Sequence, residues 1–344
     1  MALPFSPGCL PLPRGGAPYR GPGAALARAA GNRGVATLAQ RGPREAPLAL
    51  GAAGFPGLSL DLERERARVD REAAERSIAR VGLAYLRDER SAGAPPSEHI
   101  GAMVEQLRQA EQSRPRVVKA ELIGPVSLAL QLTDEQEQPL AYDPPLREAL
   151  VQHVALRAAW MHDLIGSAGV SALICLDEPF LDALGSAFCP LDWEEGGDLL
   201  ARTLGDMPGP RGLCTAGAPN WAVLVAQPVD LLLFDAYEHG AGIVQAARSV
   251  VGFLERGGAI GWGIVPTDPS ALAQERTETL AQRLVSTVEY LAAAGDLTPA
   301  QIGAQSVVST SSGLAHLPPD LAEQATALCA EVAAAARAMF GLDS

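Results

Sequence analysis

Val170-Ser171-Ala172-Leu173-Ile174-Cys175-Leu176-Asp177-Glu178-Pro179-Phe180-Leu181 is an apolar, partly β-branched run that ends at two carboxylates and a proline. It has the length of a buried parallel strand and is short for a helix. Pro179 has no N–H and disfavours helix at Glu178, so the strand should stop there. Acids at the carboxyl end of a buried strand stand where α/β enzymes place their chemistry. Asp177 and Glu178 are thus the first candidates for catalysis and substrate contact. The plain alternative is a strand end solvated by its own acids.

Working outward, strands are expected near residues 3–9, 35–38, 116–123, 170–176, 211–215, 229–234, 259–265 and 305–310. Helices are expected at 144–167, 192–204, 219–226, 241–255, 270–294 and 320–339, with a helical turn near 24–30. Eight strands alternating with helices read as a (β/α)8 TIM barrel, one domain over 1–344. A helical insertion at about 61–113 would precede the third strand. It comprises a charge-dense surface helix over 61–90, with Val69, Ile78, Val81, Leu83 and Leu86 turned inward, and a second helix capped by Ser97.

The 344 residues are 48% hydrophobic and 19% charged, which suits one large barrel or two ordinary domains. A net charge of −13 argues against nucleic acid and an anionic membrane surface. No apolar run approaches the ~20 residues of a membrane span. Five scattered cysteines without a C-x-x-C pair suit a reducing cytoplasm. The first 50 residues carry Arg14, Arg20, Arg28, Arg33, Arg41 and Arg44 against the single acid Glu45; this start reads as an organellar transit segment, though Gly and Pro crowd it, as a basic rim near an anionic ligand, or as a merely solvated basic edge. No dinucleotide fingerprint, P-loop, G-x-S-x-G or H-E-x-x-H occurs.

Polar and turn-forming groups follow the expected strands in order. They include Gly8-Cys9-Leu10-Pro11, Gly124-Pro125-Val126-Ser127, Asp177-Glu178-Pro179, Cys214-Thr215-Ala216-Gly217, Asp235-Ala236-Tyr237, Pro266-Thr267-Asp268 and residues 309–313. In a barrel these share one mouth. The set resembles the zinc-dependent catalytic barrel of cobalamin-independent methionine synthase, in the superfamily that also holds uroporphyrinogen decarboxylase. Gly8-Cys9-Leu10-Pro11 is similar to that family's Gly-Ser-Phe/Leu-Pro, the segment around Gly124 and Ser127 to its Gly-Pro-Val-Thr, and Asp177-Glu178-Pro179 to its Asp-Glu-Pro. The resemblance implies that Asp177 contacts an amino-acid thiol, and that Gly8, Cys9, Gly124, Ser127 and Ser312 line the substrate site.

The family's zinc ligands are a His-x-Cys, an acid and a late Cys. Here Cys214 matches either the Cys, with Gly212 in place of the His, or the His, with Ala216 in place of the Cys. Asp235 matches the acid, Ser312 stands at the late Cys, and Ile264–Thr267 offers no counterpart of the catalytic His. Cys214 and Asp235 therefore form an incomplete metal set with zinc as the candidate cofactor, whereas such a centre needs three protein ligands. The implied function is methyl transfer from a folate or other small donor to a thiol such as homocysteine, a step of methionine biosynthesis, with Asp177, Glu178 and Asp235 as catalytic candidates. The alternatives are a metal-free decarboxylase or lyase on the same barrel, or a non-catalytic small-molecule-binding barrel. The expected partner is a small molecule. His239 beside Glu238 and His316 after the last strand are lesser candidates for a base. Trp221 and Trp262 could line the pocket or fill the core.

Overall fold

A computed structural model describes residues 3, 7–15, 35–37, 47–61, 66–95, 99–109, 115–218 and 220–342. Its strands are β1 (Leu10–Pro11), β2 (Val35–Thr37), β3 (Leu58–Asp61), β4 (Arg66–Val69), β5 (Val117–Ile123), β6 (Ser171–Glu178), β7 (Arg211–Thr215), β8 (Leu231–Phe234), β9 (Ala259–Val265) and β10 (Ser306–Thr310). Eight of them form one sheet in the order β1-β10-β9-β8-β7-β6-β5-β2, and every pairing within it is parallel. The near-continuous apolar strands follow from this, because a parallel sheet flanked by helices is buried on both faces. All seven residues of β5 and of β9 are buried.

The sheet curls. Five strands separate β1 from β5, so a flat sheet would hold them ~29 Å apart at ~4.8 Å per step. Instead Lys119 Nζ of β5 donates to the carbonyl of Pro13, just past β1, at 2.6 Å. Leu10, Leu12, Leu173, Cys175, Leu231 and Val307 fill the concave side. The convex side carries the main core against the helices, including the long Pro144–Gly166 and Pro319–Met339. Among the described residues no ladder joins β1 to β2.

Seven of the expected strands are present with shifted ends, and the expected strand at 3–9 is not seen among its described residues. The first differs most: β1 begins at Leu10, so Gly8 and Cys9 precede it. The expected helix over 61–90 is replaced by the β3–β4 hairpin and two short helices, Arg71–Glu75 and Ile78–Leu86. Leu58-Ser59-Leu60-Asp61 and Arg66-Ala67-Arg68-Val69 alternate in burial with period two, a strand signature overridden in the sequence reading by charge density. Gly57, at φ +72°, closes the hairpin base, where Asp70 N–H donates to its carbonyl at 2.9 Å. A Cβ there would collide with the Asp70 carbonyl. Val69 is buried as expected, but Leu83 and Leu86 are exposed. The turn at 24–30, the Ser97 cap and the arginines from Arg20 to Arg44 lie outside the described residues. Among the described residues no helix is long and apolar enough to cross a membrane.

Candidate functional site

Alternation along β5 sends Lys119 and Glu121 to the concave side, and alternation along β6 sends Asp177 there. Lys119 Nζ donates to Glu121 Oε1 at 2.8 Å, with both side chains buried. Glu121 Oε2 accepts from the Gly15 N–H at 2.8 Å, and Arg14 Nε lies 4.0 Å from its Oε1. Arg14 Nη2 pairs with Asp177 Oδ1, and Nη1 donates to the Thr215 carbonyl at 3.2 Å. Two cations and two carboxylates thus meet at the carboxyl end of the sheet. Asp177 is their outermost member, its side chain 17% exposed against 0–5% for the other three.

The charges follow from this packing. Burial pushes the Glu121 carboxyl up, but Lys119 and Arg14 outweigh it and hold Glu121 below the usual carboxylate range. Burial raises Asp177 against the pull of Arg14. Burial would strip the proton from Arg14, yet the negative groups around it keep the guanidinium charged.

Glu178, the alternate residue on β6, points the other way. Its carboxylate accepts from Val126 N–H at 3.0 Å and Ser127 N–H at 2.7 Å, capping the helix Pro125–Gln131. Gly124 leaves room for this carboxylate, since a Cβ there would strike Glu178 Oε1. Ser127 Oγ accepts from Phe180 N–H at 3.1 Å. Gly124, Ser127 and Glu178 therefore form one buried brace that holds the β5 and β6 ends together. Burial lifts Glu178 to about 7, opposed by its bonds to Ser127 and Val126.

The other sequence candidates are dispersed. Gly8 and Cys9 lie at the amino end of the sheet, where Cys9 N–H donates to the Ser306 carbonyl at the start of β10. That is a correction: the mouth-facing group after β1 is Arg14, two residues beyond the Leu12 N–H bond to Val308. Cys9 Sγ donates to the Gly303 carbonyl at 3.3 Å, and burial pushes its thiol up to about 12. Arg14 itself is buried inside the curl and is no rim residue. Asp235 is half-buried and caps the helix Ala236–Gln245 through Glu238 N–H at 3.0 Å. Ser312 joins a hydroxyl cluster, with Thr267 Oγ1 at 2.6 Å from its Oγ and 3.2 Å from Ser311 Oγ. His316 is exposed. Trp221 and Trp262 sandwich Phe234 edge-on, at 4.8 and 5.6 Å, within the main core.

Zinc does not fit this donor set. Cys214 Sγ lies 3.9 Å from Glu121 Oε1 with Arg14 close by, and burial, with a bond to Cys175, raises its thiol well above the ordinary value. A ligand sulfur must lose its proton, which burial of this thiol opposes. Asp235 spends its carboxylate on a helix end. Among the described residues no three His, Cys, Asp or Glu side chains are grouped to hold a metal ion.

Lys119 and Glu121 escaped the sequence reading. Their signal was two charges at alternate positions of Val117-Val118-Lys119-Ala120-Glu121-Leu122-Ile123, an otherwise apolar strand. Arg14 was legible only as part of a basic edge.

No family model and no curated protein matches the chain. Among solved structures it is similar to a B12-independent methionine synthase from Shewanella sp. W3-18-1 in complex with selenomethionine. The identity is 14% and the TM-score 0.48, over 70% of this chain and 67% of that one.

Proposed function

We propose that this chain is a closed (β/α)8 barrel that holds a small zwitterionic molecule, an amino-acid-like thiol or thioether, at the carboxyl ends of its strands. Asp177 is the anchor for the ligand's ammonium group. The observation that carries the reading is the convergence of Arg14, Glu121 and Asp177, with Asp177 alone partly open and its Oδ2 forming no hydrogen bond among the described residues. A carboxylate held between a guanidinium and the opening offers one oxygen to each. Methyl transfer to a thiol such as homocysteine from a folate or other small donor is the finer activity we assign. Because the donor set rejects zinc, activation of that thiol falls to groups other than a metal. The same observation favours, as a second reading, metal-free lyase or decarboxylase chemistry on the same carboxylate cluster.

Calorimetric titration with homocysteine and methionine, on chelator-treated and on zinc-supplemented protein, tests this. Binding by the wild type that is independent of zinc and weakened about tenfold or more in Asp177→Asn is the expected result. Absence of binding under both conditions, or unchanged affinity in the variant, overturns it.

A further inference from the structure

The helix Pro144–Gly166 also buries Arg157, 1% exposed. Its Nη2 donates to the Ala53 carbonyl. Its Nε and Nη1 are buried and form no hydrogen bond among the described residues. Burial lowers its affinity for the proton, to about 10, and no carboxylate among the described residues offsets this. A buried cation without a counter-charge is one of the costlier arrangements a protein can hold. Its one titratable neighbour on the helix gives no relief. His153 donates Nε2–H to the Gly51 carbonyl at 3.0 Å, packs edge-on against Phe55, and stays neutral.

The cover over this guanidinium is thin. Gly54 is exposed and sits at φ +78°. Among the described residues a Cβ there would meet only Arg157 Nη2, at 3.8 Å. The turn Arg90–Gly93 packs against the helix backbone at Leu156 and Arg157, where a Cβ on Gly93 would collide with the Leu156 carbonyl. The Ala53–Gly54 backbone thus lies against one nitrogen of the guanidinium, and the other two are left without an acceptor among the described residues.

We infer that Arg157 is the anchor of an oxyanion site beneath the Ala53–Gly54 turn, taking a phosphate or a carboxylate group. An oxyanion supplies both the missing charge and acceptors for the orphaned N–H groups, which a water molecule cannot do. The site is separate from the Asp177 cluster and does not depend on what binds there.

The test is a thermal melt of the full chain titrated with inorganic phosphate or with acetate, against sodium chloride at matched ionic strength. A saturable rise in Tm with one of the two probes is expected. A response to phosphate marks a phosphoryl ligand, and a response to acetate a carboxylate. Arg157→Met should lose the rise. Should that variant not fold, Arg157→Lys, which keeps the charge and loses the planar fork, should bind the responding probe about tenfold more weakly. No saturable rise in the wild type, a wild-type response in Arg157→Met, or an unchanged affinity in Arg157→Lys overturns the inference.

Discussion

Lys119→Met removes one charge from the buried cluster and keeps the side-chain volume. Lys119 Nζ and Glu121 Oε1 are 2.8 Å apart, with side-chain exposures of 0% and 5%. At an effective dielectric of ~20 such a pair gains about 6 kcal/mol gross, most of it offsetting desolvation. Deleting one partner strands the other, at a cost of about 3–5 kcal/mol. Arg14 Nε at 4.0 Å and the Gly15 N–H still face Glu121, so the lower end of that range applies, about 3 kcal/mol. With ~2.1 cal/mol/K of unfolding entropy per residue over 344 residues, the Tm should fall by about 4 °C. Glu121 without Lys119 is pushed by burial toward its protonated form. The deficit should therefore be larger in mildly alkaline than in mildly acidic buffer. Calorimetric melts of Lys119→Met and of Lys119→Met/Glu121→Met at both pH values measure this. The double variant should recover at least half of the loss, because no uncompensated carboxylate remains. A Lys119→Met protein as stable as wild type, or a double variant worse than the single one, would refute the reasoning that the cluster is a mutually dependent set of buried charges.

His153 gives a pH signature of its own. Burial, and then the charge of Arg157, lower it from 6.5 to about 3. The unfolded chain binds a proton there that the folded chain refuses. Stability should thus be fully present above 6.5 and fall as pH drops toward 3, by up to ~5 kcal/mol. His153→Gln, which can still donate to the Gly51 carbonyl, should flatten that limb in acid-unfolding curves; an identical curve would exclude His153 as its source. Glu178→Gln places an amide NH2 against one of the two N–H donors of Val126 and Ser127. It should cost about 1–3 kcal/mol in denaturant unfolding, and a neutral effect would mean that the brace is not formed.

Much of the architecture is legible in the chain. The apolar runs 170–176, 211–215, 229–234, 259–265 and 305–310 are readable as strands because a parallel sheet buried on both faces leaves them apolar throughout, and 116–123 is readable in spite of Lys119 and Glu121. The Leu58–Val69 hairpin was misread because its exposed face is as charged as a helix surface, although its buried face keeps period two. The first strand slipped because Leu10-Pro11-Leu12-Pro13 supplies few N–H groups, so hydrogen bonding confines β1 to two residues and moves Gly8 and Cys9 to the far end.

Sequence by itself determined that Asp177 and Glu178 end a buried strand, since apolar length and Pro179 are local facts. Which of the two faces the concave side was settled by pleat and curl together. The curl brings Arg14, more than 150 positions away in the chain, onto Asp177, and seats Lys119 against the carbonyl of Pro13. Cys214 looks like a metal ligand in one dimension and is a thiol beside a guanidinium in three. The physical reason is that a charge takes its meaning from its neighbours within a few ångströms. In a curled parallel sheet those neighbours come from strand ends that the chain order keeps far apart.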